Sequence, residues 1–196
     1  GAWAQTQPSK GDGKVGNPYI ITKAEELAWF RDQVNGGNKK ICAKIADNVE
    51  VIDLKNFCHA ADASKKIDEQ SWVPIGNSNK PYQGTFDGNG KTITNLYINA
   101  SQVNMGLFGY TYEGTIKNLT FEYANVTNTN SYAGVLVGNA FWRSTLQNIK
   151  ISNTCQIKGG NYTGGIAGSL DGNASNCVNY ATVQGKEDVG GLFGYY

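Results

Sequence analysis

Four times in its second half this 196-residue chain closes an apolar doublet on glycine: Leu107-Phe108-Gly109, Leu136-Val137-Gly138, Ile166-Ala167-Gly168 and Leu192-Phe193-Gly194. The closing glycines stand 29, 30 and 26 residues apart. A period of that size marks stacked supersecondary units, since one such unit cannot bury an apolar face alone and gains a core only against its neighbours. A second series runs between the doublets: Thr92 to Ile98, Thr115 to Phe121, Thr145 to Ile151 and Ala174 to Val178, aligned on Asn95, Asn118, Asn148 and Asn176. In the first three copies apolar residues alternate with Thr, Lys or Gln, the period of a strand with one buried face.

Short strands, many turns and no helical stretch within the repeat predict an all-β chain, a right-handed parallel β-helix or solenoid of roughly four coils. Parallel stacking sets equivalent residues about 4.8 Å apart, so each position becomes a column of like side chains. Leu107, Leu136, Ile166 and Leu192 then form an aliphatic column, and Asn95, Asn118, Asn148 and Asn176 an amide ladder. Asparagine tolerates a positive φ at strand corners, and the repeated glycines do so without a Cβ penalty.

Ahead of the repeats the pattern changes. Residues 1–16 are expected to be poorly ordered and 17–91 to form an N-terminal cap of a strand, a helix and irregular first coils, with the regular coils at 92–196. Thr22-Lys23-Ala24-Glu25 reads as a capping box in which Thr22 caps a short helix and Glu25 reaches back. Leu27, Ala28, Phe30 and Val34 give that helix an apolar side, and Asn35-Gly36-Gly37 stops it. Laid across an open solenoid end, it would shield apolar core and unpaired strand edges. Ala2-Trp3-Ala4 has the small-x-small form of a signal-peptidase site. The last repeat runs straight into Tyr195-Tyr196, which leads us to expect further repeats or domains beyond Tyr196.

Composition narrows the partners. With 17 basic and 16 acidic residues the net charge is +1, which gives no electrostatic reason to expect nucleic acid. No apolar run approaches the ~18 residues of a membrane span. Cys42, Cys58, Cys155 and Cys177 form an even set, with Cys42–Cys58 and Cys155–Cys177 the favoured pairs and buried free thiols the competing reading. No Cys/His cluster has metal spacing, and neither a metal nor a cofactor is expected.

Several of these segments together resemble a known family. Asn17-Pro18-Tyr19-Ile20-Ile21, Ala24-Glu25-Glu26-Leu27, Trp72-Val73-Pro74-Ile75-Gly76, Gly84-Thr85-Phe86-Asp87-Gly88-Asn89-Gly90 and the Gly-Leu-Phe-Gly repeats look like those of the GLUG-motif proteins of bacterial cell surfaces. The resemblance covers nearly the whole chain from Asn17. It implies a secreted or surface-anchored β-solenoid, often a module of a larger adhesin-like protein and sometimes an accessory to a surface peptidase. It supplies no catalytic residues, and Ala167 departs from its pattern at the Phe position of the third repeat.

The expected function is a non-catalytic surface module for adhesion or for recognition of a host or microbial glycan or protein. The alternatives are a carbohydrate-active β-helix enzyme, lyase or glycosidase, and a purely structural stalk. His59, the only histidine, stands in no triad spacing. Glycoside hydrolysis needs two converging carboxylates, whereas Asp87 and Asp171 precede glycines as turn formers and Glu187 and Asp188 are sequence neighbours. Five Asn-x-Ser/Thr sequons, at Asn99, Asn118, Asn125, Asn161 and Asn173, read as turn and strand chemistry. The candidate ligand-binding residues are aromatic: Tyr110 and Tyr112 follow the first doublet, and Phe141, Trp142 and Arg143 the second. Side by side in successive coils, they would form one patch, with Arg143 adding a planar donor fork.

Overall fold

A computed structural model describes residues 4–196. The N-terminal part holds β1 (Tyr19–Ile21), α1 (Ala24–Asn35), β2 (Ala43–Ile45) and β3 (Val51–Asp53). There follow β4 (Thr85–Thr94), β5 (Tyr97–Ala100), β6 (Phe108–Tyr112), β7 (Thr115–Glu122), β8 (Asn125–Asn128) and β9 (Val137–Ile151). The chain continues through β10 (Gln156–Lys158), β11 (Thr163–Gly164), β12 (Ala167–Asn179), β13 (Thr182–Gln184), β14 (Val189–Gly190) and β15 (Phe193–Tyr195). A nine-stranded sheet runs in the order β1-β2-β4-β7-β9-β12-β15, with β3 beside β4 and β6 beside β9. A second sheet is ordered β13-β10-β8-β5, and β11 pairs with β14. The long ladders are all parallel. The chain is a β-solenoid of about six turns with one short helix.

Six turns rather than four follow from the irregular region joining the same sheet. Ala43 of β2 stands opposite Phe86 of β4, and Ile52 of β3 opposite Ile93, so cap segments already act as rungs. Above them the register builds apolar columns. Phe86, Ile116 and Leu146 form one, Ile93, Phe121 and Ile151 another, and Ile98, Val126 and Ile157 a third, all buried. Leu107, Leu136 and Ile166 are likewise buried, while Leu192 of the last repeat is 37% exposed.

The asparagine column has a different membership from the sequence alignment. Thr92 pairs with Thr120 and Thr85 with Thr115, so the copy of Thr115-Ile116-Lys117-Asn118 in the preceding coil is Thr85-Phe86-Asp87, not the Thr92 segment. Asn118 Nδ2 donates to Asp87 Oδ1 at 3.1 Å, and Asn148 Nδ2 donates to Asn118 Oδ1 at 2.9 Å. Asn176 lies between Ser175, paired with Gln147, and Cys177, paired with Ile149. Asn95 sits at another corner and donates instead to Asp53 Oδ1 at 3.0 Å. The bulge at Gly88-Asn89-Gly90, where the register between Asp87 and Lys91 shifts, hides the true alignment. Asn89, Asn95, Asn118, Asn148 and Asn176 all take the left-handed conformation, at φ 51 to 64°.

The doublet glycines are required for space, not for φ. A Cβ on Gly138 would lie 2.5 Å from the Met105 nitrogen, and one on Gly168 would lie 2.5 Å from the Gly138 oxygen. Those contacts are with backbone of the neighbouring turn, which cannot give way. Neither glycine has a positive φ.

At the N-terminal end α1 lays Leu27, Ala28, Phe30 and Val34 onto the core. Phe30 contacts Tyr82 and Phe86 at ring-centroid distances of 5.8 and 5.9 Å. Burying each large side chain of this kind contributes about 1.5–3 kcal/mol. The expected capping box does not form: the helix begins at Ala24, so its N-cap is Lys23 rather than Thr22 and makes no side-chain cap bond. Thr22 instead donates its N–H to Glu26 at 2.8 Å, and its hydroxyl to the same carboxylate. Of the segment 1–16, Gly1 to Trp3 lie outside the described residues, and with them most of the Ala2-Trp3-Ala4 motif. The remainder is tied down: the Thr6 N–H donates to the Glu25 carbonyl at 3.1 Å and the Ile20 N–H to the Lys10 carbonyl at 3.1 Å. The expected boundary at residue 91 falls inside β4.

The four cysteines are free thiols. Cys42 lies beside the start of β4, accepting from the Thr85 N–H at 3.4 Å, whereas Cys58 lies beside β5, accepting from the Tyr97 N–H at 3.3 Å. Cys155 receives the Ala124 N–H at 3.3 Å, while Cys177 stands within β12 opposite Ile149. Each proposed pair is therefore divided between different corners of the coil, and neither disulfide forms.

Candidate recognition surface

In β6 Phe108, Gly109 and Thr111 are buried, while Tyr110 and Tyr112 are half-exposed, so the strand departs from simple alternation at its start. In the next turn Asn139 stands opposite Tyr110 and Phe141 opposite Tyr112, with Ala140 buried between them. The rings meet: Tyr110 to Phe141 at 5.6 Å, Tyr112 to Phe141 at 6.1 Å and Tyr112 to Trp142 at 5.4 Å between centroids. Arg143, at φ 57°, turns the chain onto the next face and lays its guanidinium 4.3 Å over the Trp142 ring. Phe141 and Trp142 remain 40% and 37% exposed. The five sequence candidates thus come together on one outer face.

Polar groups beneath the patch are satisfied. The Thr111 and Ser144 hydroxyls are bonded to one another at 2.8 Å, and Ser144 donates onward to the Phe141 carbonyl. The Glu113 N–H donates to the Trp142 carbonyl at 2.8 Å, fixing the rim. The rings therefore stand on a rigid base.

The sequence reading missed the other half of this surface. Tyr132 and Tyr162 stack face to face at 4.7 Å and 10°, and Tyr195 meets Tyr162 edge-on at 6.0 Å. Burial raises the Tyr110 hydroxyl above its ordinary pKa, with Tyr132 and Tyr112 adding to the shift. Burial, then Tyr162, raises Tyr132 in the same way. A signal was present: Tyr132 and Tyr162 each stand six residues ahead of a closing glycine, Gly138 and Gly168.

Other candidates disperse. Asp87 is engaged by the Asn89 N–H at 2.8 Å and by Asn118, as a corner acceptor. The Asn118 amide of the sequon is held in the same ladder. Among the described residues no group of three His, Cys, Asp or Glu side chains could hold a metal ion. No helix among the described residues is long and apolar enough to cross a membrane.

No family model matches the chain. It is 32% identical over 172 residues to halomucin of Haloquadratum walsbyi, covering 82% of this chain and 2% of halomucin. It is 31% identical over 135 residues to a proposed Gly-rich membrane protein of Evansella cellulosilytica, covering 67% of this chain and 14% of that protein. The chain thus spans only a small part of either relative. Among solved structures, a proposed immunoglobulin A1 protease from Bacteroides ovatus superposes with a TM-score of 0.68 at 18% identity, over 96% of this chain and 64% of that one.

That likeness shows the fold, and it also corrects one expectation. The chain was expected not to be an enzyme, yet a solenoid of this fold occurs in a protein described as a protease, so the exclusion of enzyme function does not stand. The distant relatives carry names of surface-like proteins, which agrees with an exported or surface setting.

Proposed function

We propose that this chain is a recognition module of a larger surface protein, of the GLUG-like kind that its motifs resemble, and that it binds a host or microbial glycan or protein through its aromatic face. One observation carries the reading: Tyr110, Tyr112, Phe141, Trp142 and Arg143 converge on a single outer surface, although the solenoid core is complete without them. Tyr132, Tyr162 and Tyr195 lengthen that surface along the solenoid. Tyrosine, tryptophan and arginine are the residues that dominate the energetics of contact surfaces, because they offer a large rigid area with a polar tip.

The stalk reading keeps one observation in its favour. Tyr132 and Tyr162 cover each other's faces, as rings that only seal a surface would. A glycan array and a panel of surface proteins, probed with the parent and with Trp142→Ala, separate the two. Binding by the parent that falls at least tenfold in Trp142→Ala supports recognition, a loss of the size expected of a central aromatic anchor. No binding by the parent, or equal binding by both, supports the stalk.

A further inference from the structure

Two ladders of the solenoid stop in the same turn. The second sheet, ordered β13-β10-β8-β5, ends at β5, which has β8 on one side and no strand on the other. The bridges that join Thr163 to Ala133 and Ala133 to Met105 end at Met105. Elsewhere this turn continues into the preceding one, with Ile75 opposite Phe108 and Tyr82 opposite Thr111. The cause is a shortcut in the chain below. The Trp72 N–H donates to the Tyr97 carbonyl at 2.8 Å and the Ile75 N–H to the Leu107 carbonyl at 2.9 Å, so residues 72–75 run beside the whole of residues 97–107. The Asn99 N–H is met by the Ser71 hydroxyl, at 3.0 Å, and not by a strand. Residues 100–105 therefore overhang a missing rung.

The backbone hydrogen bonds of this overhang run to the following turn. The Thr129 N–H and the Asn130 and Asn128 amides donate to the Ala100, Ser101 and Gln102 carbonyls, and the Asn104 and Met105 N–H groups donate to the Ser131 and Tyr132 carbonyls. On the opposite side two adjoining cavities, of about 270 and 240 Å³, separate the overhang from the preceding turn, and Val73, Pro74, Gln102 and Met105 line both. Among the described residues no charged side chain lines either cavity. Val73 and Val103 are 57% and 48% exposed beside them. Asn104 is only 8% exposed and lines the smaller cavity, and its Oδ1 is buried without a hydrogen-bond partner among the described residues. A buried acceptor left unpaired is costly, so the groove is incomplete as it stands. Each cavity far exceeds the roughly 30 Å³ that one water occupies, so a single solvent molecule does not fill it.

We propose that this groove takes an extended, uncharged peptide segment of a partner protein, which lies along the open edge of β5 and residues 101–105 and supplies the missing rung. Main-chain hydrogen bonds to the edge give the affinity, and the two cavities against Val73-Pro74 receive alternate side chains, as in strand addition to an open sheet edge. The uncharged lining selects uncharged side chains, because a charge buried there would have no partner. A donor of the peptide satisfies Asn104 Oδ1. The gap is one strand deep and bordered by sheet-edge backbone, which favours a strand over a sugar. None of these residues belongs to the aromatic face.

Titration calorimetry with an end-blocked synthetic peptide tests it. The probe has the sequence of residues 125–133, the uncharged rung that stacks on residues 97–105 from the other side. Saturable binding is expected, and none by the same peptide N-methylated at alternate residues, which cannot donate to a sheet edge. Val73→Lys, a change at an exposed position, should weaken binding tenfold or more. Asn104→Gly removes the acceptor while keeping a residue suited to φ 66°, and should weaken it roughly three- to tenfold, the worth of one hydrogen bond. Trp142→Ala should bind the peptide as the parent does, so failure of the aromatic-face reading would leave this result intact. The proposal is overturned by an absence of saturable binding, by equal binding of the N-methylated peptide, by unchanged affinity in either groove variant of native circular dichroism, by displacement of the peptide with the neutral sugar maltotriose, or by loss of binding in Trp142→Ala.

Discussion

The first and last doublet repeats carry equivalent residues in unlike surroundings. In the first, Leu107 and Phe108 are wholly buried in mid-stack, with Tyr82 and Phe86 against the Phe108 ring and α1 lying beyond them. In the last repeat, Leu192 is 37% exposed and Phe193 only half-buried. Both repeats have the same Leu-Phe-Gly sequence. Burial of a repeat is thus a property of its neighbours, as expected when each unit contacts only the units on either side.

Substitutions along the stack put that comparison to the test. The largest effect is expected for Phe30→Ala, which removes the ring that roofs Tyr82 and Phe86: about 3–5 kcal/mol by denaturant unfolding. A loss below 1 kcal/mol would show that α1 is not part of the folding unit. Next comes Leu136→Ala in the middle of the stack, at about 2–5 kcal/mol, against clearly less for Leu192→Ala, whose side chain is already partly hydrated. Equal losses would break the comparison outright.

Chemistry buried in the early turns gives a pH signature. Burial pushes the Cys58 thiol up to about 12, whereas an exposed cysteine titrates near ~8.5. A raised folded-state value means that its contribution is complete below the unfolded value and is lost as pH climbs toward the folded one. Thermal stability should therefore fall between roughly pH 8.5 and 12 more steeply in the parent than in Cys58→Ala. Identical slopes would locate the alkaline loss elsewhere. The smallest change expected is for Asn148→Ala, about 1 kcal/mol, because it deletes one amide bond of the corner ladder. A loss above 3 kcal/mol would mean that the ladder holds the turns in register.

Legibility followed the reach of each interaction. The doublets read correctly as rungs because their period is long and their apolar character unambiguous. The ladder was read one segment off at its start, since the bulge at Gly88-Asn89-Gly90 moves the register where Thr92-Ile93-Thr94-Asn95 imitates the repeat. The aromatic rings were half legible. Tyr110, Tyr112, Phe141, Trp142 and Arg143 follow the doublets directly, but Tyr132 and Tyr162 precede theirs and meet each other only once coils are stacked. Favouring the cysteine pairs failed for a related reason, as proximity along the chain says little about which corner of a coil a residue occupies.

Sequence alone fixed the period, the strand alternation, the helix at the cap and the parallel stacking that follows from them. Those features depend on local conformational preference and on apolar burial repeated at regular intervals, both written in residue order. Tertiary structure alone decided the number of turns, the register at the bulge, the four separate thiols, the length of the aromatic face and the groove along the open edge of β5. Each of these depends on which residues of different turns come to lie within a few ångströms of one another, and one residue of slippage at a corner moves every side chain after it.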